Sequence, residues 1–174
     1  MKPQLGIYSA TLYDGVMRTA IHRMKFQKRK RLAEPLGVLL VQYLSQTPGI
    51  NLEEMDAIIP IPLHRRRLRQ RGFNQAELLA GVIGRYYELP VINALERIKD
   101  THPQFDLSGE ARRINVHGAF KVSDSRSVYN RRLLLFDDIY TTGSTLTESS
   151  KALMIAGARR VEILTLSRAI ENSA

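Results

Sequence analysis

The chain has 174 residues, 44% of them hydrophobic and 25% charged, which suits one globular domain spanning 1–174 whose core rests on Leu, Ile, Val and Ala because Trp is absent. Cysteine is also absent, which excludes disulfides and thiolate metal sites and predicts no zinc. The net charge of +9 favours polyanionic partners, and the cations cluster. Arg23–Arg31 carries Lys25, Lys28, Arg29 and Lys30, and His64–Arg71 carries Arg65, Arg66, Arg67 and Arg69. No apolar run has the length of a membrane span, and Met1-Lys2-Pro3 opens no signal-peptide pattern. A cytoplasmic chain with no membrane insertion is the expectation.

In chain order, Leu5–Tyr13 reads as a strand, and Asp14 is placed to cap a helix with Met17, Ala20, Ile21 and Met24 on one face. Leu36, Leu39, Leu40 and Tyr43 give a second amphipathic helix that ends at Thr47-Pro48-Gly49. Residues 1–26 and 30–50 thus read as amino-terminal hood or helical elements. Asp56–Ile61 suits a buried parallel strand, followed by an arginine-rich loop. Asn74 with Glu77 reads as a capping box, opening a helix with Leu79, Val82, Ile83 and Tyr86 on its buried face. Pro90–Asn93 reads as a short strand. Leu95–Ile98 and Val116–Val122 read as two strands joined by a long polar segment, of a length that suggests a functional flap. Arg132–Phe136 is a strand, Ser144–Ala156 a helix closed by Gly157, and Val161–Leu166 a last strand. This alternation predicts an α/β fold with a parallel sheet flanked by helices.

The chemistry concentrates in Leu133–Thr145. Four apolar residues lead to Asp137 and Asp138 at the carboxyl end of a strand, where open α/β sheets bind ligands. Thr141, Thr142, Gly143, Ser144 and Thr145 then run into a helix start. Gly143 allows close backbone approach, the hydroxyls donate, and the first helical amides are free, so the turn suits a phosphate monoester. The two acids would repel phosphate. They suit accepting from vicinal hydroxyls or helping to hold hydrated Mg2+. Together these features describe a sugar phosphate. One Asp here would be an ordinary helix cap; two before Thr-Thr-Gly-Ser-Thr are not. A Walker B strand also ends on acids, but it needs a Gly-x-x-x-x-Gly-Lys-Ser/Thr loop, which this chain lacks.

Leu133–Thr145 resembles the thirteen-residue PRPP signature of type I phosphoribosyltransferases. Ile59–Glu77, the stretch from Arg97 to Phe120, and Tyr13-Asp14-Gly15 with Met24-Lys25-Phe26 resemble the ComF, or GntX-like, family of competence-associated phosphoribosyltransferase homologues. The resemblance implies a type I phosphoribosyltransferase fold with a small flexible flap or hood. It implies that Asp137 and Asp138 bind the ribose hydroxyls and take part indirectly, through water or ribose, in holding Mg2+. The loop Thr141–Thr145 would bind the 5′-phosphate, and Leu63, His64 and Arg65 would meet pyrophosphate. Residues 99–115 would form the flap, bringing Arg112 and Arg113 to phosphate. Many ComF-like proteins begin with a cysteine-rich zinc ribbon; this chain has no cysteine from which to build one.

Two functions follow as expectations. One is phosphoribosyl transfer from PRPP, or binding of a related sugar phosphate, with Mg2+ and an unknown acceptor. The other is handling of single-stranded DNA beside competence-machinery proteins, through Arg66, Arg67, Arg69, Arg71, Lys28, Arg29 and Lys30, with Phe26, Phe73 and Tyr140 as stacking candidates. For any single arginine a solvated surface charge is the simpler reading, but five in Arg65–Arg71 repel one another and favour a polyanion.

Overall fold

The computed structural model describes residues 6–47, 49–100 and 114–170. Its elements are β1 (Ile7–Leu12), α1 (Gly15–Phe26), α2 (Ala33–Gln46), β2 (Ala57–Pro60), α3 (Arg65–Arg71), α4 (Gln75–Tyr87), β3 (Leu95–Arg97), β4 (Phe120–Val122), β5 (Arg132–Tyr140), α5 (Ser144–Ile155) and β6 (Arg160–Arg168). The main sheet has the order β1-β6-β5-β2 with every pairing parallel, and β3 and β4 form a separate antiparallel pair.

Side chains alternate across β5, and each face meets its own helices. Leu134 and Phe136 pack with Leu79 and Ile83 of α4, Leu40 of α2, and Ile21 and Met24 of α1. Leu133 and Leu135 pack with Leu146 and Leu153 of α5. The crossing of α2 over α4 is close because Gly37 has no side chain; a Cβ there would lie 2.4 Å from the Cβ of Val82.

Several expected elements change character. The arginine-rich stretch is helical, not a loop. Arginine is a good helix former, His64 Nδ1 accepts the Arg66 amide at 3.4 Å, and Gly72 ends the helix at φ +83°. Asp14 makes no side-chain cap; its carbonyl accepts from the Arg18 amide at 2.9 Å. Asn74 caps α4 by accepting from Ala76, but Glu77 accepts from Asn93 at 2.8 Å instead of closing a capping box. Tyr86 is 67% exposed, because its neighbour Tyr87 takes the inward position and donates to the Val41 carbonyl at 3.2 Å. Pro90–Asn93 contributes a single parallel bridge from Val91 to Ile58. The strand expected from Val116 begins only at Phe120, since Gly118 turns the chain at φ +59°.

Candidate functional site

β5 outruns its neighbour on one side. Pairing with β2 stops at Pro60 opposite Phe136, and Ile61 gives one last amide to the Phe136 carbonyl at 2.9 Å. Pairing with β6 continues past it, to Thr165 opposite Asp137, Ser167 opposite Ile139 and Arg168 opposite Tyr140. Asp137 and Asp138 therefore lie within the strand, not beyond its end as the apolar run alone suggests. From β5 the chain crosses by α5 to β6, and from β2 it crosses by α4 to Val91 on the other side. Successive connections thus wind in opposite directions from the β5–β2 boundary. That is the switch point at which open α/β sheets form a ligand crevice.

The acids on successive strand positions have different surroundings. Asp138 is 3% exposed, and its Oδ2 lies 2.6 Å from Lys25 Nζ of α1. No aligned hydrogen bond reaches that oxygen, so the contact is an ion pair. Asp137 is partly exposed and its Oδ1 accepts the Asp138 amide at 2.8 Å. Burial, and then the charge of Asp138, push its carboxyl up to about 8. Arg97 of β3 is buried against the Phe120 ring at 5.4 Å, and burial lowers it to about 10 while Asp137 pulls the other way. Burial likewise lowers Arg71, against the opposing charge of Asp138.

The turn after β5 is built for close approach. Gly143 stands at φ +73°, and a Cβ there would lie 2.9 Å from Tyr140 Oη. Tyr140 is itself fixed under the Arg168 guanidinium at 5.1 Å. Thr142 and Ser144 hydroxyls bond each other at 2.9 Å, Thr141 and Thr145 flank them, and the Thr147 amide caps back to the Gly143 carbonyl at 2.8 Å. The amides of the first α5 turn precede any intrahelical acceptor. A cavity of about 610 Å³ opens from Thr142 and Ser144 toward Lys99, His117, Glu148 and Lys151. Glu148 anchors its rim by accepting from the Gly118 amide at 3.1 Å and from Lys151 at 2.7 Å.

The remaining expected residues divide. Leu63, His64 and Arg65 lead from β2 into α3, where Arg65 pairs with Glu96 at 2.8 Å and both His64 and Arg66 reach Asp100 at 3.4 Å. The two basic clusters, far apart in sequence, converge. Arg71 sits 5.9 Å over the Phe26 ring and also bonds Gln75, and Lys30 sits 5.2 Å over Phe73. Lys28, Arg29 and Arg69 are exposed around them, and Arg67 is half-buried. Of the three stacking candidates Phe26 is the most exposed, at 57%, with Arg71 over its ring and the His22 ring 4.6 Å from it; Phe73 is 7% exposed and Tyr140 is partly covered. Arg112 and Arg113, with most of the expected flap, lie outside the described residues.

Two residues of this site escape a reading for motifs. Lys25 stands one turn after buried Ile21 and beside buried Met24, and a charge at the margin of an apolar helix face was its signal. Arg97 had none, since a short strand gives no periodicity by which to judge burial.

The competence protein F of Haemophilus influenzae is 39% identical over 154 residues, which are 86% of this chain and 66% of that protein. The DNA utilization protein YhgH of Escherichia coli O157:H7 is 36% identical over 162 residues, covering 91% and 70%. The chain belongs to the ComF family. It spans about two thirds of the length of these ComF-family relatives. No family model matches it. The solved glutamine PRPP amidotransferase of B. subtilis superposes with a TM-score of 0.51 at 18% identity, over 76% of this ComF-family chain and 25% of the enzyme. The fold is that of the type I phosphoribosyltransferases.

Among the described residues no three His, Cys, Asp or Glu side chains gather into a metal site, and no helix is long and apolar enough to cross a membrane. Two neighbouring carboxylates, one already paired with lysine, suit a Mg2+ ion held chiefly by a ligand's own oxygens.

Proposed function

We propose that this chain binds PRPP, or a closely related sugar phosphate, with Mg2+ in the crevice where β5 outruns β2, and that it transfers the phosphoribosyl group in a competence role like that named for its relatives. The observation that supports this most directly is the placing of Asp137 on the same strand end as the Gly143 turn. One offers a carboxyl to a sugar's vicinal hydroxyls, and the other offers hydroxyls and amides to its phosphate. Leu63–Arg65 opens beside the same edge, where the pyrophosphate of PRPP would leave. Bound Mg2+ supplies charge neutralisation for that leaving group. The chain's own part is positioning: the strand and helix fix where the ribose and phosphate lie.

Calorimetric titration of PRPP with Mg2+ tests the reading. Asp137→Asn should weaken binding by about three- to tenfold, the value of a neutral hydrogen bond. Wild-type affinity in that variant would reject the site. Asp138→Asn is the weaker probe, because it also strips a buried lysine of its partner.

A second reading has its own observation, the convergence of the two basic clusters around the exposed side chain of Phe26. This surface suits the backbone and bases of single-stranded DNA. Replacing exposed Lys28, Arg29 and Arg69 with Ala should lower the log–log salt slope of binding by about 0.7 per lost phosphate contact. A slope that starts flat in the wild type rejects it.

A further inference from the structure

We propose that Lys25 is a built-in cation of the sugar-phosphate site, balancing Asp138 so that the ribose 5-phosphate part of a ligand binds without a divalent metal. The inference rests on the reading of Asp137 and Thr141–Ser144 as a sugar-phosphate site. A buried carboxylate such as Asp138, with a second carboxyl next to it, needs a counter-charge, which a bound metal or a lysine can supply. Here it is already present: Lys25 Nζ lies 2.6 Å from Asp138 Oδ2, with the two side chains 13% and 4% exposed.

The lysine is held there firmly. Ile21 and Met24 of the same helix are fully buried, and Phe26 is held under Arg71. Arg71, which bonds Gln75, adds a second positive charge that interacts with Asp138. A divalent ion placed on Asp138 would meet Lys25 at contact distance, and no third carboxylate or histidine among the described residues offsets that repulsion. Asp138 Oδ2 is buried under Lys25 and does not face a ligand, so the pair acts by balancing charge beside the site and leaves the contact with a ligand hydroxyl to Asp137. A metal is then needed by the pyrophosphate alone, not by the sugar phosphate.

The experiment is titration of ribose 5-phosphate, which has no pyrophosphate, into the full chain in EDTA and again in Mg2+. The wild type should bind equally in both. Lys25→Met should weaken binding in EDTA by about tenfold or more, the worth of a charge-assisted contact, and Mg2+ should restore part of the loss. Lys25→Arg should stay near wild type. Mn2+ titrated without sugar and followed by electron paramagnetic resonance should find no site in the wild type and one in Lys25→Met. Wild-type binding that appears only with Mg2+ overturns the role of Lys25 and leaves the sugar-phosphate reading standing. No binding in either buffer overturns that reading and this inference together. Should Lys25→Met not fold, the wild-type arms decide alone.

Discussion

Two carboxylates are buried at opposite ends of the sheet, and they are neutralised in different ways. Glu162, near the amino end of β6, is 2% exposed and pairs with Arg160 of the same strand, whose side chain is 56% exposed. Asp138, near the carboxyl end of β5, is 3% exposed and pairs with Lys25 from α1, itself only 13% exposed. The first pair forms wherever the strand forms, and its cation stays in water. The second exists only once α1 has docked on the sheet. Charge balance at the carboxyl end is therefore part of tertiary assembly, which is where a ligand site needs it.

The contrast breaks most readily at Asp138. Asp138→Ala leaves Lys25 buried without a partner and should cost about 3–5 kcal/mol in urea unfolding; a loss below about 1 kcal/mol would show that the pair is solvated like a surface one. Gly143→Ala comes next. A φ of +73° and the approach to Tyr140 Oη at 2.9 Å should cost about 1–3 kcal/mol. Sugar-phosphate binding should fall with it, as read by calorimetry. Asp137 sharpens the comparison through pH. Its carboxyl keeps a proton up to about 8, against an ordinary value of 3.8. The native state thus holds a proton that the unfolded chain has released, and this contribution is full below pH 4 and fades as pH rises through 8. Asp137→Asn cannot titrate, so its melting temperature relative to wild type should climb steadily between pH 4 and pH 8. A constant difference would contradict the raised value of this carboxyl. The smallest effect belongs to Glu162→Gln, about 1 kcal/mol or less, because Arg160 stays hydrated.

Much of the local structure is legible from residue order. The Leu133–Phe136 run marks a buried strand, Asn74 marks a helix start, and Gly143 and Gly157 bracket α5 with φ of +73° and +94°. Other features are not legible. β5 runs on through Asp137–Tyr140 because β6 continues to pair with it, and a strand's length depends on its partner as well as on its own residues. That Arg65 and Arg66 of the α3 helix pair with Glu96 and Asp100, from beyond α4, is likewise set by the fold and not by residue order. The burial of Tyr87 in place of Tyr86 is settled by the Val41 carbonyl of α2.

The sequence by itself determined the alternating α/β order, the place of the acid pair before a phosphate-type turn, and the ComF resemblance. Each of these is written in near neighbours, in strand and helix periods, and in glycine's freedom at positive φ. Only the tertiary structure decided that the two acids have different surroundings, that Lys25 answers one of them, and that two distant basic stretches meet around Phe26. Coulomb contacts act through space, and which charges become neighbours is set by how helices dock on the sheet, not by their order along the chain.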